Sequence, residues 1–259
     1  MGTIHGVHLE PFNTSSASHS LLIGVLVVLA IVAAPSTGLG RPASARADPT
    51  NGHVDVALDP GHSRWDVGAT GSGLREFEVT LDLARRARSI LEADGFAVRL
   101  TRDGPERVAP QVPGDATQAI RVEQEARHQA AGDATVFVSI HLNGHSNTTL
   151  RGTETYYNGD NLGEPSFRLA TALQQATRAA LGSSGYTPVD RGVSQDLTAG
   201  KPYGHFFSLR GPFPSALLEA LFLSNPDEAA LLHSDSIRDA IAQGIANGIA
   251  AYLLGDIDD

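Results

Sequence analysis

His62, His141 and Glu219 share one local description: each stands in, or just after, an apolar run of the kind that forms a buried strand. His62 follows Val54-Asp55-Val56-Ala57-Leu58 and an Asp59-Pro60-Gly61 turn, in which proline fixes one φ angle and glycine tolerates the other. His141 ends the β-branched run TVFVSI, and Glu219 interrupts ALLEALF. A fourth group, Glu76 or Glu78, opens a helical segment just past the Gly-rich stretch Ser63–Gly73. Two histidines and one carboxylate are the protein ligands of many catalytic zinc sites, with water in the open position. A further carboxylate is then free to act as general base on that water. The chain has no cysteine, so a metal has to be held by His and carboxylate.

Each of these residues also has an ordinary explanation. Ten histidines are present, and most belong on a surface. Glu219, between Leu218 and Ala220, is costly to bury without a partner, and an arginine could supply one. Glu76 and Glu78 equally suit the first turn of a helix, where the dipole favours a negative charge.

The elements that must position these groups alternate. Val54–Leu58 is a strand, and Glu78–Asp94 is a helix with apolar residues at helical spacing and Gly95 as its stop. Phe96–Arg102 alternates like a strand, and Ala116–Ala131 is a helix ended by Gly132. Thr135–Ile140 and Thr153–Tyr157 are strands, and Pro165–Leu181 is a helix. Residues 182–211 are mostly loop, with one strand near Val193, before a final strand Ala216–Phe222 and a helix Asp235–Leu254. Such alternation predicts an α/β layered fold with a largely parallel central sheet, at whose strand carboxyl ends ligands gather. No internal repeat is visible and no second domain follows.

The formal charge of −10 argues against nucleic acid as a partner and against simple electrostatic adhesion to anionic lipid. Leu21–Ala34 is an unbroken apolar run of about 14 residues, short of the roughly 20 that span a bilayer and suited to a signal-peptide core. An A-x-A site, Ala45-Arg46-Ala47, follows. Residues 1–47 are therefore expected to be a signal peptide of an exported protein, and residues 48–259 its functional domain. Met1–Ser20 contains no Lys or Arg, a departure that leaves an uncleaved anchor as the alternative.

Seven segments follow one another in order: DPGH, GLREFEVTLDLA, LTRDG, FVSIHLN, RGTETYY, DRGV and ALLEALFLSNPDEAALL. Together they resemble the zinc-dependent N-acetylmuramoyl-L-alanine amidases of the type 3 family, over nearly all of Val54–Leu254. The resemblance implies a single α/β domain with a central mixed sheet flanked by helices on both faces. It implies one zinc ion per chain on His62, Glu76 and His141, because the family's glutamate ligand falls on Glu76 and not on Glu78. It also implies Glu219 at the catalytic position. The family's DPGHGG turn is here DPGHSR, a departure that falls on the loop after the histidine. Some members carry a helix that plugs the site; the stretch between Tyr157 and Leu181 looks too short to hold both such a helix and the regular one, so an open site is expected.

The implied reaction is hydrolysis of the amide between the lactyl group of N-acetylmuramic acid and L-alanine of the stem peptide, with peptidoglycan or its muropeptide fragments as substrate. Glu219 would take the water's proton and pass it to the leaving amine. Arg191, Lys201, His205 and Arg210, in the loop before the last strand, are candidates to meet stem-peptide carboxylates or the oxyanion. Asp59 and Asn143 are candidate outer-shell groups, Asp59 as acceptor for a histidine ring nitrogen. A monomer without a separate wall-binding module is expected. Two other readings keep the scaffold: a zinc peptidase cleaving inside the stem, and a non-catalytic wall-binding homologue, which would be expected to lose ligands or the base.

Overall fold

Strict alternation along three neighbouring strands decides which side chains reach the site. The computed structural model describes residues 52–111 and 114–255. The apolar run Leu21–Ala34 and the expected cleavage site after Ala47 lie outside the described residues. Among the described residues, no helix is long and apolar enough to cross a membrane.

The main sheet has six strands: β1 (Val56–Pro60), β4 (Val98–Leu100), β5 (Val136–Asn143), β6 (Thr153–Tyr157), β7 (Asp190–Gln195) and β8 (Ser215–Phe222), in the spatial order β4-β1-β5-β8-β6-β7. The strands β4, β1, β5 and β8 run parallel. The antiparallel β6 follows β8, and β7 runs parallel to β6. The sheet is thus mixed and largely parallel. A two-stranded hairpin, β2 (Thr70–Gly71) and β3 (Leu74–Arg75), lies apart from it.

Val56 and Leu58, Val136, Val138 and Ile140, and Ala216 and Leu218 point into the main core. There they meet α1 (Glu76–Ala93), α3 (Gly163–Ser183) and α5 (Asp235–Leu254), with Leu83, Leu173 and Ile245 among the fully buried contributors. The alternate residues face the other way. Ala57 and Phe137 form a smaller cluster with Ala131 of α2 (Ala116–Ala131). Asp59, Ser139, His141, Leu217 and Glu219 continue that second face toward the strand carboxyl ends, because successive side chains of a strand alternate sides.

The helices α2 and α5 and the strand β6 have the bounds expected from the sequence. Three strands differ by two or more residues at an end. The first strand starts at Val56 and runs on through Asp59 and Pro60, since Pro60 pairs with Ile140. The strand expected over Thr135–Ile140 runs from Val136 to Asn143, and the Phe96–Arg102 strand shrinks to three residues. The helix expected from Glu78 begins at Glu76, and a short α4 (Pro226–Leu231) follows β8, capped by the Asn225 side chain. Between β6 and α3 only residues 158–162 intervene.

Candidate metal centre

The loop leaving β1 is built from its carbonyl groups outward. Arg102 Nε donates to Pro60 O at 2.9 Å, and its Nη2 donates to Gly61 O at 2.9 Å. Arg127 Nη1 donates to Pro60 O and Nη2 to His62 O, each at 2.6 Å. Two guanidinium groups thus hold three successive carbonyls, and burial lowers the Arg102 pKa to about 10. Arg127 is also paired with Asp59 at 2.8 Å, both side chains being fully out of solvent. The glycine of the turn does not have the role its φ freedom suggested. His62 itself takes the left-handed conformation, φ 64°. Gly61 is needed for close approach: a Cβ there would stand 2.5 Å from His141 Nε2.

Glu76 reaches the same point from below. Ser72 and Gly73 both have positive φ, the signature of a tight two-residue hairpin. That hairpin joins β2 to β3 and delivers Glu76 as the first residue of α1. Glu76 is buried, whereas Glu78 is exposed and paired with Arg75. Of the two carboxylates that spacing left open, only Glu76 can act inside.

The three groups converge. Glu76 Oε1 lies 2.9 Å from His141 Nδ1 and 3.3 Å from His62 Nε2. Single ligand atoms of His62, Glu76 and His141 all lie within 4.8 Å of one another. A tetrahedral zinc with bonds near 2.0–2.2 Å sets its ligand atoms roughly 3.4 Å apart, so the donor set and spacing fit with little movement. The other oxygen, Glu76 Oε2, accepts from Ala69 N at 2.7 Å. Burial alone would raise Glu76, but hydrogen bonds from His141 and His62 outweigh it and hold this carboxyl well below the usual range. His62 Nδ1 bonds Asp66 Oδ2 at 2.9 Å, which leaves Nε2 for a ligand. Burial disfavours the His62 charge, yet the bonds to Asp66 and Glu76 prevail and its pKa rises to about 10.

Glu219 is the register partner of His141 on β8, and Glu154 of β6 is the register partner of Glu219. A histidine and two carboxylates thus lie in a row across three strands. Glu154 is neutralised locally: Arg191 Nε donates to it at 2.7 Å, Tyr156 Oη donates at 3.0 Å, and Asn143 Nδ2 also donates to it. Glu219 has no such help. Its Oε2 is shut off from solvent with no hydrogen-bond partner among the described residues. Burial raises its pKa well above the usual value, and the charges of Glu76 and Glu154 raise it further. The arginine that could have made Glu219 a buried salt-bridge partner pairs with Glu154 instead.

A cavity of about 490 Å³ opens in front of these groups, lined by His62, His141, Glu219 and Lys201 among others. The remaining expected site residues divide. Lys201 lines the cavity, whereas Arg191 does not and is paired with Glu154. His205 and Arg210 are loop braces. His205 bonds Asp196 at 2.6 Å and Asp160 at 3.0 Å, and Arg210 bonds the carbonyls of Tyr203 and His205 while lying over the Phe207 ring. Asp59 meets neither histidine, because its oxygens are taken by Arg127, Thr101 and Ser139; the acceptor for His62 is Asp66. Asn143 serves Glu154. Asp66, Arg127, Arg102 and Glu154 were not foreseen. The signal for Glu154 was available, since TETYY carries an acid inside a strand as ALLEALF does.

Comparison with known proteins adds an independent line. The sequence profile of the N-acetylmuramoyl-L-alanine amidase family matches residues 56–251. The chain is 31% identical over 197 residues to the N-acetylmuramoyl-L-alanine amidase LytC of Bacillus subtilis, covering 76% of this chain and 35% of LytC. It is 30% identical over 209 residues to the germination-specific N-acetylmuramoyl-L-alanine amidase of the same organism, covering 79% of this chain and 81% of that one. This chain therefore spans about a third of the first relative and most of the second. Among solved structures, the CwlD amidase of Clostridioides difficile, in complex with the GerS lipoprotein, aligns with a TM-score of 0.66 at 27% identity, covering 77% of this chain and 98% of that one.

Proposed function

This chain belongs to the N-acetylmuramoyl-L-alanine amidase family and is an amide hydrolase of that family, and from that premise we propose that it cleaves the bond between the lactyl group of N-acetylmuramic acid and L-alanine of the peptidoglycan stem, using one zinc ion. The ion would be held by His62, Glu76 and His141. The observation that carries this reading is the convergence of those three ligand atoms beside Glu219. Zinc bound there supplies Lewis-acid polarisation of the scissile carbonyl and lowers the pKa of water.

The chain's own residues do the rest. Asp66 fixes the His62 ring so that one nitrogen faces the centre. Glu76 brings the negative charge that favours a cation. Glu219, next to His141 and without a cation of its own, accepts the proton of the attacking water and returns it to the leaving amine. Arg191 balances Glu154, so that the charge beside Glu219 is not doubled. Lys201, on the cavity wall, is placed to meet a carboxylate of the stem peptide. We further propose that the protein is exported, on the strength of Leu21–Ala34 and Ala45-Arg46-Ala47, and that it acts as a monomer.

The test is digestion of purified peptidoglycan with and without a chelator, read by mass spectrometry. The expected products are stem peptides with free L-alanine amino termini, absent when chelator is present. Cleavage inside the stem would make the protein a peptidase on the same scaffold, and no cleavage by zinc-loaded protein would make it a binding homologue.

A further inference from the structure

The chain's one tryptophan stands in the loop where its sequence departs from DPGHGG. Ser63 and Asp66 exchange backbone hydrogen bonds, Ser63 N to Asp66 O at 3.0 Å and Asp66 N to Ser63 O at 3.1 Å, which closes a tight turn with Arg64 and Trp65 at its tip. Trp65 is 62% exposed. An isolated exposed apolar residue is ordinary, but this ring is tied down. Its indole N–H donates to Glu106 Oε2 at 3.1 Å. Glu106 also accepts from Arg64 at 2.6 Å, the Arg64 guanidinium lies 5.5 Å from the indole centre, and Arg64 N donates to Pro105 O at 2.7 Å. A large aromatic surface is therefore held in a fixed orientation on the wall of the cavity that contains His62, His141 and Glu219. Arg107 lines the same cavity.

We propose that Trp65 and Arg107 form a subsite for an N-acetylated sugar ring. The indole face takes the apolar C–H face of the pyranose, and the Arg107 guanidinium, on the lining of the same cavity, donates to the acetamide oxygen. The proposal rests on the amidase reading, in which one half of the substrate is a glycan. Around Trp65, Arg64 is paired with Glu106, Asp66 with His62 and Glu123 with Arg127, which leaves Arg107 as a donor and suits a neutral ring that carries an acceptor. Lys201, elsewhere on the cavity lining, suits the acidic peptide. Trp65 lines one cavity with His62, His141 and Glu219, so the sugar assigned to it is the one joined to the reacting amide.

Because the chain has a single tryptophan, its intrinsic fluorescence reports on Trp65 alone. The experiment titrates the Glu219→Gln protein with N-acetylglucosamine tetramer and, separately, with free stem tetrapeptide. A saturable change in emission is expected with the sugar and none with the peptide, and Arg107→Met should weaken sugar binding about tenfold. In steady-state assays of muropeptide hydrolysis, Trp65→Ala should raise KM by roughly 10–100-fold with zinc content and melting temperature unchanged, and Trp65→Phe should restore most of it. A response to peptide but not to sugar would overturn the proposal. Silence toward both from a protein whose parent digests peptidoglycan would overturn it too, while leaving the amidase reading intact. Sugar binding by a parent that cleaves no muramoyl amide would uphold the subsite and sink the amidase reading.

Discussion

Arg127 combines a buried charge with a grip on the metal-ligand loop, and the two can be separated by substitution. Its side chain is 1% exposed and that of Asp59 is 0% exposed, with Nη1 and Oδ1 2.8 Å apart. Arg127→Met strands Asp59 as a buried carboxylate whose pKa, now held low against burial by the Arg127 charge, loses that support. Leaving one partner of a buried pair uncompensated costs about 3–5 kcal/mol. At roughly 2–4 °C per kcal/mol for a domain of this size, melting should fall by about 6–20 °C. Arg127→Met/Asp59→Asn removes both charges, and the amide can still bond the hydroxyls of Thr101 and Ser139, so most of that loss should return. What does not return is the pairing with the less buried Glu123 and the grip on the loop, the bonds from Arg127 to Pro60 O and His62 O. His62 is held at φ 64°, a conformation that costs a non-glycine residue about 1–2 kcal/mol and persists only where contacts impose it. Zinc affinity, read by competition against a chromophoric chelator, should therefore stay about 10–100-fold below wild type in both variants. If the double variant regains zinc affinity together with melting temperature, Arg127 acts only through Asp59 and the positioning argument fails. If Arg127→Met alone melts like wild type, the buried pair adds nothing to stability.

Three further outcomes follow from the site. Glu219→Gln should keep its zinc and melt no lower than wild type, because the side chain has no cation to abandon, while turnover falls by on the order of 10²–10⁴; a clear loss of melting temperature in calorimetry would return Glu219 to a structural role. Gly61→Ala should drive a methyl group into the His141 ring at a cost of roughly 1–3 kcal/mol and deplete bound zinc by elemental analysis, whereas normal zinc content would show that the two rings can separate freely. In metal-free protein the His62 pKa is raised from 6.5 to about 10, against burial and by the bonds to Asp66 and Glu76, so its contribution to stability is complete below pH 6.5 and is lost as pH rises toward 10; melting of chelated protein should fall across that window and zinc-loaded protein should not follow it, and parallel curves would refute the assignment.

The sequence was most informative where one period governs many residues. Ala116–Ala131 sits between a loop and Gly132, Asp115 caps it through Gln118 N, and its bounds could be read directly. The choice between Glu76 and Glu78 could not be made from spacing, because it depends on a hairpin of two-residue strands too short to show any period. Nothing in the sequence singled out Arg127, because an arginine in a helix is ordinarily solvated, whereas α2 packs on the second sheet face through Arg127 and Ala131. That face carries the buried Asp59, so the usual rule of apolar residues inward fails at the one place where charge was buried to shape a loop. His205 and Arg210 had the right chemistry for substrate, but a long loop needs its own polar partners, and Asp196 and backbone carbonyls claimed them.

Two carboxylates within one site can take different roles only if their surroundings pull them apart. Glu76 and Glu219 come from different elements, a helix start and a mid-strand position, and each brings its own electrostatics. Glu76 is buried between two histidines and accepts from two backbone N–H groups, Ala69 and Leu142, so it stays ionised and suits a cation. Glu219 is half-buried on β8, and burial together with the charges of Glu76 and Glu154 pushes it the opposite way, which suits a group that must gain and release a proton. Arg191 on Glu154 sets the limit of that push, since an unpaired Glu154 would add a full neighbouring charge to the repulsion. The division of labour therefore rests on which carboxylate the sheet register leaves without a donor. The register of β5, β8 and β6 puts Glu219 between His141 and Glu154, and among the described residues no donor reaches its buried oxygen.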